Sequence, residues 1–335
     1  MSLSITKLYA DFLEDLEIGQ GRSPKTVENY DRYLKRFFTQ QRIKTVSDIT
    51  SDAVRVFRRY LNELAPYHDN KGVGLATQNY HLIALRQFLK YLAKRDVPAL
   101  SPDKVGLAKL GERDIDVLYP EEMDALLATA REQRQEASSG DNSDSYSARA
   151  NKDLLGKRDS ALLEVLYSTG VRVAEAVRLD RDDLKSKGSG PIHEAAHVRS
   201  ELAVRGKGNK VRVVFLSEAA REAVARYLQM RQDMDPALFI RHSPNTKLGE
   251  SMRLTTRSVQ RMIKKYARAA GLTKVITPHT LRHSFATDLL TNGADVRQVQ
   301  QLLGHASITT TQVYTHLTDV RLKEVHDKYH RQNKA

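Results

Sequence analysis

Apolar positions in the first 95 residues recur at the spacing of one helical face. Ile5, Leu8, Phe12, Leu13 and Leu16 mark the first such face, and Gly19 ends it. Ser23-Pro24 opens a second helix, with serine as N-cap, proline at the first helical position and Val27, Tyr30, Leu34, Phe37 and Phe38 inward. Val54, Phe57, Leu61 and Leu64 form a third face. Leu82, Leu85, Phe88, Leu89 and Leu92 form a fourth, closing on Lys94-Arg95. Four amphipathic helices predict a small helical bundle over residues 1–95. Residues 96–118 carry Pro98, Pro102 and Gly106 with few periodic apolar positions, which predicts an interdomain linker.

A second domain is expected over 119–335. It opens at Tyr119-Pro120-Glu121-Glu122 with a helix through Leu127. Residues 136–152, EASSGDNSDSYSARANK, hold five serines and no large aliphatic side chain. That composition predicts a disordered surface insertion, bounded at 132–152, and a second insertion is read as a loop at 185–197. Helices follow over Arg158–Ser168, Ser217–Arg231 and Thr255–Ala270. Between them His197–Arg205 and Val211–Leu216 read as short strands joined through Gly206-Lys207-Gly208-Asn209, a hairpin that projects one amine. The expected class is mainly α with a small β-hairpin.

Composition narrows the partners. The chain of 335 residues carries a net charge of +13 and no cysteine, which excludes disulfides and cysteine metal sites and suits a reducing cytoplasm. No apolar run reaches membrane-spanning length, and the acidic, amphipathic N-terminus does not read as a signal peptide. Residues 1–110 hold 18 Lys+Arg against 12 Asp+Glu, leaving 36 against 29 for the remainder, so both parts are basic. A polyanion touched by both domains explains that balance, and nucleic acid is the obvious one. In the first domain Arg22, Lys25, Arg32, Lys35, Arg36, Arg58, Arg59, Arg86 and Lys90 are candidate phosphate contacts, although a lone helical charge is usually only solvated.

The candidate chemistry concentrates in Thr277–His316. Thr277 and Pro278 read as N-cap and first helical position, which puts His279 and Arg282 three apart on one helix face. Asn292-Gly293 stops that helix, a short one runs from Asp295 to Leu303, Gly304-His305 follows, and a third carries Tyr314. Two imidazoles, a guanidinium and a phenol on consecutive short helices can hold a phosphate and attack it. Earlier in the chain, Arg172 follows a glycine turn, with Glu175 three residues on. That pair is either a surface ion pair or a guanidinium held in place for a cleft. Lys207 is either a solubilising turn lysine or a mobile acid. His279 and His283, four apart, could begin a zinc site, but no HExxH glutamate and no nearby third ligand accompany them.

TGVRVAEAVRL, RGKGNKVRVVFL, TPHTLRHSFATDLL and LLGHASITTTQVYTH, in this order, resemble the motifs of the tyrosine recombinases, within them the Xer branch. The resemblance spans almost the whole chain. It implies a SAM-like helical core-binding domain plus a catalytic domain, closing on DNA as a clamp, and a catalytic set of Arg172, Lys207, His279, Arg282, His305 and Tyr314. No metal or cofactor is implied. The chemistry is consistent on its own terms: a phenol with pKa near 10 needs a base and nearby cations to attack at neutral pH. His279 is the better base, Arg172 and Arg282 clamp the phosphate oxygens with His305, and Lys207 protonates the departing 5′-oxygen, leaving a 3′-phosphotyrosine. The resemblance further implies double-stranded DNA with an inverted-repeat site, a homo- or hetero-tetramer on two such sites, and a nucleoid-associated place in the cytoplasm, with a DNA translocase as a further candidate partner and no membrane. A tail helix at 317–330, with Leu317, Val320, Leu322, Val325 and Tyr329 apolar, would dock cyclically on a neighbouring protomer. Resolution of chromosome dimers is the expected role, because the helical domain begins near residue 3 and leaves no arm-binding module. An integrase or transposase of a phage, transposon or conjugative element, a type IB topoisomerase-like enzyme and an idle DNA-binding protein are the alternatives.

Overall fold

In the computed structural model the chain divides into two compact units, residues 1–113 and 114–335. The structure describes residues 5–64, 73–111, 116–139, 146–186, 194–206, 210–242 and 251–304. Lys207, His305, Tyr314 and the expected tail helix lie outside these residues.

The first unit holds α1 (Ile5–Glu14), α2 (Pro24–Gln40), α3 (Ser51–Glu63) and α4 (Leu75–Ala93). A wider π-helical turn, Asp15–Gly19, continues α1 and keeps Leu16 buried. Ser23 caps α2, accepting from the Thr26 amide at 3.3 Å, and Thr50 caps α3, accepting from that of Ala53 at 3.1 Å. Aromatic rings interlock within a mainly aliphatic core. Phe12 and Phe88 meet edge-on at 5.4 Å between ring centroids, as do Phe37 and Phe57 at 5.1 Å, and Phe38 reaches Phe88 at 5.7 Å. Leu34 and Phe37 are fully enclosed, whereas Val27, Tyr30 and Phe38 pack half-buried around them.

The stretch expected as a linker is in part packed. Val105 is wholly buried in the helical core, and the Asn79 side chain bonds the Ala108 backbone twice, donating to its carbonyl at 2.8 Å and accepting from its amide at 2.9 Å. Proline and glycine broke the periodicity there without freeing the chain. Several of the basic candidates are engaged within their own helices: Lys25 with Glu28 at 2.7 Å and Lys35 with Asp31 at 2.9 Å. Such exposed pairs contribute little stability and yield readily to another anion.

The second unit is built on α6 (Tyr146–Thr169), which packs between α5 (Pro120–Ser139) and α9 (Glu218–Met230). The two short helices α7 (Val173–Ala176) and α8 (Arg181–Leu184) lead to β1 (Glu201–Arg205) and β2 (Val211–Phe215), one antiparallel hairpin with Val204 opposite Arg212. Helices α10 (Thr256–Ala269), α11 (Pro278–Thr291) and α12 (Val296–Leu303) follow. The expected disordered insertion is corrected: α5 runs through Ser139 and α6 starts at Tyr146, so much of 132–152 is helical. Alanine, glutamate, glutamine and arginine dominate its flanks, and each serine costs a helix only a few tenths of a kcal/mol. The segment read as a loop at 185–197 ends in a 3-10 turn, Ala195–His197, and Lys185 bridges to Val198.

Two histidines of this unit are held neutral. Burial pushes His242 down to about 4, with Arg158 and Arg231 adding to it, and the ring shares a 3.1 Å hydrogen bond with the Tyr227 hydroxyl. Burial, His279 and Arg282 likewise bring His283 down to about 4. An unfolded chain takes up these protons near pH 6.5. Stability should therefore fall as pH drops from about 6.5 to about 4 and level off below, by up to about 3 kcal/mol for each histidine. Urea unfolding at pH 7.5 and 4.5 measures this, and His283→Gln should flatten the dependence. In the first unit, Phe88→Ala should cost about 4 kcal/mol of unfolding free energy, read by the same denaturation.

Candidate active site

Gly170 ends α6 with a φ of +58°, and a side chain there would collide with Phe285, whose ring carbon lies 2.3 Å from where a Cβ would stand. Only glycine permits both the left-handed turn and that approach. The turn delivers Arg172 as the N-cap residue of α7. Its backbone amide donates to Glu175 Oε2 at 2.9 Å, and its guanidinium Nη1 donates to Glu175 Oε1 at the same distance. Glu175 is buried at 5% exposure, while the Arg172 side chain keeps 32% of its surface open. Of the two readings of this pair, a carboxylate that orients a partly open guanidinium is the one the geometry matches.

Arg282 arrives from α11. Thr277 caps that helix, its hydroxyl accepting from the Thr280 amide at 3.2 Å, and Pro278 occupies the first turn. Arg282 itself is 3% exposed. It donates Nη1 to the Gly170 carbonyl at 2.7 Å and Nη2 to the Leu303 carbonyl at 2.5 Å. One guanidinium thus ties the turn before Arg172 to the end of α12. Ser284, two residues further along α11, accepts from the Leu118 amide at 2.8 Å and anchors the start of this unit.

His279 lies one turn from Arg282 on α11 and faces solvent. Partial burial of its ring lowers its pKa, and the charges of Arg282 and Arg172 lower it further. Those two charges act on one ring, so Arg172, His279 and Arg282 form a single electrostatic site. All of these effects disfavour the protonated imidazole. His283 follows four residues on, with its ring centroid 6.3 Å from that of His279. Among the described residues no group of three or more His, Cys, Asp or Glu gathers into a metal site.

Helix α12 precedes Gly304 and His305 in the chain. Asp295 caps it, accepting from the Arg297 amide at 2.7 Å, and Gly304 terminates it in the left-handed conformation at φ +64°. Ala286 and Leu290 of α11 and Val299 and Leu303 of α12 share a small core that fixes the two helices together.

Sequence reasoning passed over Arg212. Its side chain is 10% exposed, and its fork donates to the Glu175 carboxylate, Nη2 to Oε2 at 2.7 Å and Nη1 to Oε1 at 3.2 Å, while Nε donates to the Leu302 carbonyl at 2.8 Å. Burial pushes the Glu175 carboxyl up, but the bonds from Arg212 and the Arg172 amide outweigh it and hold the group below the usual carboxylate range. The run Val211-Arg212-Val213-Val214-Phe215 conceals this, because its valine-phenylalanine face, Val211, Val213 and Phe215, is the exposed one. The arginine within a motif of alternating apolar residues was the available signal.

Among the described residues no helix is long and apolar enough to cross a membrane. The phage integrase family matches residues 116–321, and the phage integrase N-terminal SAM-like domain matches residues 10–96. The chain is 36% identical over 335 residues to the tyrosine recombinase XerC of Listeria monocytogenes, covering 97% of each protein. It is 31% identical over 332 residues to the tyrosine recombinase XerD of Oceanobacillus iheyensis, covering 96% of this chain and 97% of that one. In fold it is similar to the XerH site-specific recombinase bound to a palindromic difH substrate, with a TM-score of 0.63 at 20% identity over 95% of this chain and 84% of that one. A lambda integrase dimer bound to a core site gives a TM-score of 0.64 at 15% identity over 93% of this chain and 77% of that one. With both units matched and relatives alike over nearly their whole length, the chain belongs to the phage integrase family of tyrosine recombinases, in its Xer-like branch.

Proposed function

We propose that this protein is a site-specific recombinase that cuts and rejoins double-stranded DNA through a 3′-phosphotyrosyl intermediate, in the Xer-type role of resolving chromosome dimers. The observation that carries the reading is the convergence of Arg172 and Arg282 around the Gly170 turn, with a neutral His279 in their field. A phosphodiester under attack builds charge on its two non-bridging oxygens, and planar guanidiniums suit that pair better than a point charge does.

In the proposed step the Tyr314 oxygen bonds to phosphorus while the bond from phosphorus to the 5′-oxygen breaks. His279 takes the phenol proton, Lys207 gives a proton to the departing 5′-oxygen, and His305 adds a hydrogen bond to the phosphate. Attack by the 5′-hydroxyl of a second strand reverses these bond changes and completes the exchange. The guanidinium pair supplies the charge neutralisation that magnesium supplies in kinases. Two basic units closing on one duplex as a clamp account for the net charge of +13. The protein would act in the cytoplasm, at the nucleoid, as four protomers on two inverted-repeat sites, identical or paired with a homologue, joined by cyclic exchange of the tail after Tyr314. A DNA translocase is a candidate partner for the chromosomal role.

The test uses a duplex selected from a random-sequence library by binding to the full chain, then nicked so that cleavage traps the adduct. Tyr314→Phe should abolish the protease-sensitive protein–DNA adduct while affinity stays within about twofold, because only the nucleophilic oxygen is lost. An adduct formed by that variant would end the assignment of the nucleophile. Arg172→Lys should slow single-turnover cleavage by about 100-fold or more at near-parental affinity, since the fork counts chiefly in the transition state. Equal losses of binding and cleavage would reduce Arg172 to a phosphate anchor.

A further inference from the structure

Arg212 joins two separate parts of the site's framework, the Glu175 carboxylate and the end of α12. Its guanidinium forks onto Glu175, the carboxylate that orients Arg172, and its Nε holds the Leu302 carbonyl at 2.8 Å. Two glycines make room for it. A Cβ on Gly304 would stand 2.9 Å from Arg212 Cδ, and one on Gly206 would stand 3.3 Å from Arg212 Nη1 and 3.4 Å from Glu175 Oε1. In the chain, Gly206 directly precedes Lys207 and Gly304 directly precedes His305.

We propose that Arg212 is a positioning residue for strand cleavage, its guanidinium fixing Glu175, and through it Arg172, against the end of α12. The inference rests on the function proposed above and names a residue that the six-residue catalytic set leaves out. The chemistry explains why an arginine stands there. A planar fork satisfies both carboxylate oxygens and still directs Nε to a third acceptor, whereas a lysine ammonium is a single point that cannot span them in fixed directions. The strand geometry explains why it is there and nowhere else. Arg212 shares the inward face of the hairpin with Leu202, Val204 and Val214, which are buried, so it cannot swing away to solvent. Arg212 sits behind Glu175 and does not replace Arg172 at the phosphate.

The experiment uses the full chain and the same selected, nicked duplex. Arg212→Lys keeps the charge beside Glu175 and loses the three-way contact. It should slow adduct formation by about 100-fold, the scale of a misplacement near 1 Å, with DNA affinity within about twofold of the parent. Gly206→Ala presses a methyl group onto the same pair without altering charge or requiring a left-handed backbone. It should slow cleavage by about tenfold, and combined with Arg212→Lys it should add nothing further, because both act through one contact. Cleavage by Arg212→Lys within about twofold of the parent would overturn the proposal, as would parallel losses of affinity and rate, which mark a clasp for stability alone. Should Arg212→Lys fail to fold, Gly206→Ala decides: slower cleavage at parental affinity supports the proposal, and a parental rate overturns it. A parent protein that forms no Tyr314-dependent adduct would overturn the recombinase reading and this inference with it, whereas a parental adduct with unaffected variants removes only the role of Arg212.

Discussion

A single buried carboxylate organises the second unit. Glu175 lies at 5% exposure, where an ionised group without partners would be costly, and two guanidiniums and a backbone amide offset that cost. The arrangement works in both directions. Each arginine neutralises the carboxylate, and the carboxylate fixes where each guanidinium points. Removing one member of such a buried set typically costs about 3–5 kcal/mol because the remaining charge is left uncompensated. Arg282, buried in the same unit, donates to the carbonyls of Gly170 and Leu303. Those carbonyls belong to the turn before Arg172 and to the helix before His305, so satisfying one buried charge also sets the spacing of the site.

The consequence for chemistry is a concentration of fixed positive charge around neutral imidazoles. Arg172 and Arg282 favour the unprotonated form of His279, and His279 and Arg282 do the same for His283. A phenolate and a phosphate would both be favoured in this field, whereas a second cation would not. Under the proposed function, base and clamp come from one arrangement: burial and the two guanidiniums proposed to hold the phosphate together disfavour the protonated form of His279.

The first unit has a different economy. Its interior interlocks aromatic rings with a larger aliphatic set, and some of its basic residues are engaged at the surface with acids one turn away. Some buried polar groups are closely matched, as with Asn79 and the Ala108 backbone or the His81 ring, which bonds the Thr77 carbonyl at 2.9 Å. That matching extends the unit past its last helix and explains why a proline-containing stretch packs when its periodicity suggested a free linker.

What the sequence determined by itself was local. Serine and threonine caps, Pro278 at a first turn, the glycine stops at Gly170 and Gly304, and the 3.6-residue recurrence of Leu, Phe and Val each act within a few residues, so α2, α3, α9, α10 and α11 were legible directly. The three-residue spacing of His279 and Arg282 on one helix was legible for the same reason. The helical character of 132–139 and 146–152 was not, because serine content signals weak packing and says little about backbone propensity. Beyond that reach only the tertiary structure decided. Arg212 lies 37 residues from Glu175 and 90 from Leu302, and alternation along β2 assigns it to the solvent face. It is buried because a carboxylate and a carbonyl from distant segments meet it there, and a pattern in one strand cannot encode which partners the fold will bring.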